Sequence, residues 1–277
     1  MPKKIAIAFF GIPRSTKDCA PSISKNVINS LLDTGADVKA FYHLFDIDHV
    51  LNIRSNEDHS LYDSNYDYFN QFDGELEAPG YCLKKWNFKE VKKYGDTWSD
   101  GYQSLSNLIH QLHSLNKVTQ RVSDYNPDLV AFVRPDLLYH DKINRWEVDH
   151  CINFPNSVIL PNWHWSGGYN DRFALCGRSS YRAYGERILN ISQYHQNFDT
   201  PLHAEKFLKY SLDKANCEVL PVKFRGSRVR TSGRVEPESF NIITSLRSAG
   251  SIPNKLNLIS KSISSKLKQM RAGYANK

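Results

Sequence analysis

No aspartate or glutamate follows Glu238. Arg247, Lys255, Lys261, Lys266, Lys268, Arg271 and Lys277 stand in that stretch and equal the whole formal charge of +7. Residues 1–238 are therefore balanced in charge. A protein that grips nucleic acid along its main face spreads basic residues over its body, so no nucleic-acid partner is expected. No run of eighteen apolar residues exists, which excludes a transmembrane helix. The apolar stretch near the start, residues 5–10, is too short for a signal peptide. Cysteine is sparse: Cys19, Cys82, Cys151, Cys176 and Cys217 are scattered without a C-x-x-C pair. A zinc site is thereby disfavoured, and the pattern reads as reduced cytosolic thiols. A G-x-G-x-x-G loop, a P-loop, a G-x-S-x-G elbow and internal repeats are all missing. What is present suffices for a core. The 277 residues are 40% hydrophobic and 12% aromatic, which excludes disorder of the whole chain and fits one or two domains.

Residues 4–10 form a near-continuous apolar run of strand length, ending in the turn-forming Gly11-Ile12-Pro13-Arg14-Ser15. Residues 22–32 carry apolar side chains at helical spacing, and residues 37–44 read as a second strand. Strand, loop, helix, strand is a right-handed βαβ unit and points to an α/β fold. Residues 46–98 are rich in Asp, Asn, Tyr, Phe and His and read as a long insertion over one face. Helices are expected at 99–122, 178–189 and 202–212, and strands at 128–133, 158–160, 172–176 and 217–222. The expected organisation is one domain over 1–238 and a basic tail over 239–277. In that tail Ile252, Leu256, Leu258, Ile259, Ile263, Leu267 and Met270 fall mostly at three-, four- and seven-residue steps between basic residues. Such a segment suits the surface of an anionic membrane.

Chemistry-bearing residues gather at strand ends. Gly11 lets the backbone approach an anion, and Arg14 can hold a phosphate bidentately. The plainer reading of that loop is an ordinary turn with a surface arginine. Arg134 and Asp136 follow the strongest strand, where open α/β sheets place ligand-binding groups. Asp136 suits a metal or a sugar, and Arg134 a diphosphate; alternatively the two pair with each other in a turn. Residues 163–173 combine Trp163, His164, Trp165, Gly167, Gly168 and Tyr169 with Asn170 and Asp171. Flat aromatic faces stack on sugars, so Trp163, Trp165 and Tyr169 read as an acceptor platform, with Asp171 as a general base. Glu205 opens a helix, where the dipole also favours it. Arg225, Arg228 and Arg230 lie in a basic loop that could close over phosphates or be a solvated charge run.

These pieces resemble, in order, a loose group of bacterial and viral polysaccharide glycosyltransferases, including the WavE-type lipopolysaccharide-synthesis proteins. The matching stretches are F-F-G-I-P-R-S, P-S-I-S-K-N-V-I, V-R-P-D-L, G-G-Y-N-D-R-F-A-L-C-G and A-Y-G-E-R. The resemblance implies a GT-A-like fold, a mostly parallel central sheet flanked by helices. It implies an enzyme, hexosyltransferase-like, that moves a sugar from a UDP-, GDP- or CMP-linked donor to a glycan or lipid-linked acceptor in capsule or lipopolysaccharide synthesis. Gly11 and Arg14 would lie at the nucleotide diphosphate, as would Arg134 and Asp136; Ser15 and Arg228, from their own loops, are further candidates for that site. Asn170 and Asp171 would lie near the donor sugar or acceptor. Asp171 and Glu205 are the candidate bases. Mg²⁺ or Mn²⁺ at Asp136 is the implied metal, although V-R-P-D-L offers one carboxylate where a D-x-D offers two. The location expected is the cytoplasm, peripheral at the inner membrane face. A non-catalytic glycan-binding protein and a nucleotide-sugar hydrolase are the competing readings.

Overall fold

The computed structural model describes residues 2–241. The expected amphipathic tail from Ile252 onward lies outside the described residues. Seven strands build the main sheet: β1 (Lys4–Gly11), β2 (Asp37–Phe45), β5 (Asp73–Glu77), β6 (Leu129–Val133), β8 (Ser157–Pro161), β9 (Phe173–Gly177) and β10 (Glu218–Val222). Their order is β10-β8-β9-β6-β1-β2-β5. Only β9 runs against the others. Among the described residues, two small antiparallel pairs complete the strands: β3 (His49–Asn52) with β4 (Glu57–Ser60), and β7 (Leu137–Tyr139) with β11 (Gly226–Arg228). The architecture is thus the mixed α/β one expected, a mostly parallel sheet between helices.

Alternation along β1 explains the layers. Ile5, Ile7 and Phe9 pack with Cys19, Ile23, Val27 and Leu31 on one face. Ala6, Ala8 and Phe10 pack with Leu115, Val118 and Val122 on the other. A strand buried on both faces must read as one apolar run, which is why this one was legible. Burying each large side chain contributes about 1.5–3 kcal/mol.

Some boundaries differ from expectation. The first helix starts at Thr16, not at residue 22; Pro21 lies inside it and a π-helical turn, Ser24–Ile28, follows. The long helix is Gln103–Tyr125. Asp96 accepts backbone N–H bonds from Trp98, Asp100 and Tyr102, and Asp100 accepts from the Ser104 amide, which fixes that entry. The expected helix at 178–189 divides into Tyr181–Gly185 and a 3₁₀ turn, followed by a further helix, Ile191–Phe198. The stretch 46–98 is not all insertion, because β5 within it pairs with β2 as the sheet edge. Acidic residues disguised this strand: Glu75 and Glu77 are matched by Lys117 and Arg121 across the edge.

Candidate functional site

Parallel strands bring their carboxyl ends to one side, and a cleft of about 450 Å³ opens there. The β1 end contributes Gly11 and Arg14, and the β6 end Arg134 and Asp136. The loop after β8 brings His164, Ser166, Asp171 and Arg172, and the helix Ala204–Lys214 starts beside it with Glu205. The segment around β11 adds Arg228 and Arg230, and the β3–β4 hairpin adds Arg54. Gly11, Arg14, Arg134, Asp136, Asp171, Glu205 and Arg228 therefore converge from distant parts of the chain. Among the described residues, six arginines and three carboxylates line this cleft.

The arginines are held by a buried acidic frame. Arg134 binds Asp136 through two bonds of 2.9 Å, the turn pairing that the sequence left open. Arg14 lies 3.0 Å from Glu57 and 3.4 Å from Asp136. Arg230 also binds Glu57 at 3.0 Å. Arg172 and Arg228 share Glu238 at 2.9 and 2.8 Å. Glu57 and Glu238 were missed from sequence. Glu57 sits within the polar 46–98 stretch, and no local pattern marks it as the partner of arginines 43 and 173 residues away.

Asp136 does not suit a metal. Both of its oxygens accept from Arg134, and a second guanidinium stands at 3.4 Å. Burial works to raise its pKa, but Arg134 and Arg14 more than offset this and hold the carboxylate ionised. An Mg²⁺ or Mn²⁺ ion would have to displace these cations while facing their charge. The expected metal at Asp136 is corrected accordingly. The single D-x-D of the chain, Asp46-Ile47-Asp48, leaves both carboxylates exposed, and of the three only Ile47 lines the cleft.

The expected aromatic platform is also corrected. Trp163 and Trp165 are 1% and 2% exposed, and Tyr169 is 5% exposed. The Trp163 indole donates to the Phe224 carbonyl, and its ring lies 4.9 Å from the Arg172 guanidinium. The Trp165 indole donates to the Pro161 carbonyl. These rings brace the loop from behind. Asn170 does the same, donating to the Trp163 carbonyl and accepting from the Arg172 amide. Ser15 is buried too, bonded to the Val229 carbonyl. None of these five lines the cleft. Polar and aromatic residues in one stretch resemble a binding loop in sequence, because capped indoles need the same residues. Trp98 does line the cleft, stacked on His203 at 5.8 Å.

The loop is strained where it meets the cleft. His164 and Ser166 have φ of +51° and +44°, uncommon for side-chain-bearing residues. Bonds from the Gly168 amide to the Trp165 carbonyl and from the Tyr169 amide to the Glu205 carbonyl hold it. Two carboxyls face each other across the result. Burial and then the charge of Asp171 push the Glu205 pKa up to about 8. Burial also works to raise Asp171, but Arg134, Arg187 and Arg172 win and keep it ionised, with Gln111 donating to it at 2.9 Å. Environments that separate two carboxyls in this way assign one as proton holder and the other as acceptor. His164 and His203 lie 3.6 and 3.2 Å from the Glu205 oxygens. Burial and then Arg172 lower His164 to about 4, so it is neutral near pH 7.

No family model matches the chain, and no curated protein does. Among solved structures, the apo form of mouse xyloside xylosyltransferase 1 is 11% identical, covering 79% of this chain and 85% of that chain, with a TM-score of 0.41. A "putative nucleotide-diphospho-sugar transferase" from Desulfovibrio desulfuricans G20 is 10% identical, covering 80% of each chain, with a TM-score of 0.34. At these scores neither likeness decides the activity.

Proposed function

We propose that this chain is a GT-A-like glycosyltransferase that takes a sugar from a nucleotide-diphospho-sugar. The observation that carries the reading is the arginine-rich cleft at the carboxyl ends of the sheet, with an ionised carboxylate beside a protonated one. In this reading Arg14, Arg134, Arg228 and Arg230 face the donor diphosphate. The acceptor hydroxyl oxygen attacks the anomeric carbon, and the bond from that carbon to the phosphate oxygen breaks. The hydroxyl proton passes to Asp171, the ionised member of the pair. The arginines stabilise the negative charge that grows on the departing nucleoside diphosphate, the role that a metal holds elsewhere. Glu205 keeps its proton and donates to the reacting sugars. Trp98 and His203 form the acceptor wall. A glycan or lipid-linked acceptor in surface polysaccharide synthesis fits the basic tail, which would bring the enzyme to an anionic membrane face from the cytoplasm.

Calorimetry against UDP, GDP and CMP, followed by donor turnover with and without a glycan acceptor, tests this. Nucleotide binding with turnover that needs the acceptor is expected. Glycan binding with no nucleotide binding would replace the reading by a lectin, and acceptor-independent turnover by a hydrolase.

A further inference from the structure

Behind the cleft, His43 at the end of β2, Glu77 at the end of β5 and His113 on the long helix meet, with ligand-type atoms within 4.8 Å of one another. That spacing would suit a divalent ion, but the hydrogen bonds around the histidines oppose one. The Trp86 indole N–H donates to His113 Nδ1 at 2.8 Å. An indole N–H has no other role, so Nδ1 is an acceptor and the His113 hydrogen sits on Nε2. That Nε2–H donates to Glu77 at 3.0 Å. A metal on Nε2 would need the hydrogen on Nδ1, facing the indole N–H.

His43 is fixed from its other side. Ser114 Oγ accepts from the Gly11 amide at 2.7 Å and lies 2.5 Å from the His43 carbonyl oxygen. Two oxygens that close must share the hydroxyl hydrogen, so Ser114 donates there. Its remaining lone pair faces His43 Nδ1 at 3.1 Å, and Nδ1 must be the donor. His43 Nε2 then faces Glu77 at 3.0 Å. If His43 is neutral, a nitrogen lone pair meets a carboxylate. One extra proton removes the conflict.

We infer that His43 and Glu77 share a proton, and that through Ser114 this proton positions the Gly11 turn at the donor end of the cleft. The inference rests on the donor-site reading of Gly11. His43 is a positioning residue here, since it acts through Ser114 and does not line the cleft. Gly11 has φ +101° at the last residue of β1, and its amide donates to Ser114 there. Other charged groups around the pair are Glu75 from β5, 3.6 Å from His43 Nε2, and Lys117 and Arg121 from the long helix, which bind Glu75. Cys82 and Lys85 lie on the short helix Cys82–Lys85 beside Glu77 and His113. Burial lowers the His43 pKa, and Glu77 restores part of the loss. The shared proton therefore leaves as pH rises through the region below the ordinary imidazole value of about 6.5.

Glu77→Gln is the informative variant. Its amide oxygen accepts from His113 and its amide N–H donates to His43, so it supplies permanently what the proton supplies. The probe is the intact nucleotide-sugar that binds best among UDP-, GDP- and CMP-linked donors, and binding is measured from pH 5 to 7.5. Affinity of the unaltered protein is expected to fall at least threefold across that range, while Glu77→Gln stays at the acid value. Parallel pH dependence in both proteins would overturn the inference. Nitrogen-detected NMR of labelled histidines tests the proton without any nucleotide, so the two readings fail separately. At pH 5 His43 should carry hydrogen on both nitrogens and His113 on Nε2 alone. A neutral His43 with its hydrogen on Nε2, or stoichiometric Zn²⁺ binding lost in Glu77→Gln, would also overturn it.

Discussion

Arg14 reaches Glu57 and Asp136 with its guanidinium while standing on the wall of the cleft. Replacing it by alanine is expected to weaken nucleoside-diphosphate binding by ~1.5–3 kcal/mol, the scale of a charge-assisted hydrogen bond, in a calorimetric titration. Asp171 and Glu205 separate by protonation. Asp171→Asn should lower turnover by roughly 10²–10⁴-fold with nucleotide affinity retained, as expected for a lost base. Glu205 adds a stability prediction. Its carboxyl holds a proton to about pH 8 in the fold but only to 4.5 when unfolded. Between those values the native state binds more protons, so stability falls as pH rises. Thermal melts of Glu205→Gln should be flatter from pH 5 to 8 than those of the parent. Sequence alone marked both carboxylates but could not rank them, because the ranking comes from Arg134, Arg172 and Arg187, which charge Asp171 through space.

Elements matter where they touch. The loop after β8 and the helix Ala204–Lys214 meet at Gly168, where an added Cβ would lie 1.9 Å from the Glu205 carbonyl oxygen. Only glycine lets these backbones approach so closely. Gly168→Ala should cost about 1–3 kcal/mol or more in denaturant unfolding, because the clash is with backbone that cannot rotate away. Turnover should fall with it, since Glu205 moves. Tyr169 and Trp165, legible as aromatic, belong to this contact and do not line the cleft. β5 was hidden for the opposite reason: an edge strand tolerates charge that a central strand cannot.

Across the molecule, three remote segments close the cleft: the β3–β4 hairpin through Glu57, the β1 turn through Arg14, and residues 228–238 through Arg230 and Glu238. The basic tail adds a separate prediction. Sedimentation with anionic vesicles at low salt should retain the full chain and not one ending at Ser251, with the difference lost at high salt. Equal retention of both chains would remove the tail from membrane binding. The sequence by itself determined the α/β layering, the long helix and the strand-end turns, because burial on both faces writes a continuous apolar run and helical packing writes a 3.6-residue period. It also named Gly11, Arg14, Arg134, Asp136, Asp171, Glu205 and Arg228, which the fold brings to one cleft. Only the tertiary structure decided that Asp136 is taken by guanidinium, that Trp163 and Trp165 face inward, that Trp98 lines the cleft, and that Glu57 holds two of its arginines. Those outcomes depend on contacts between residues tens to hundreds of positions apart, and no local pattern records which charges and lone pairs will meet.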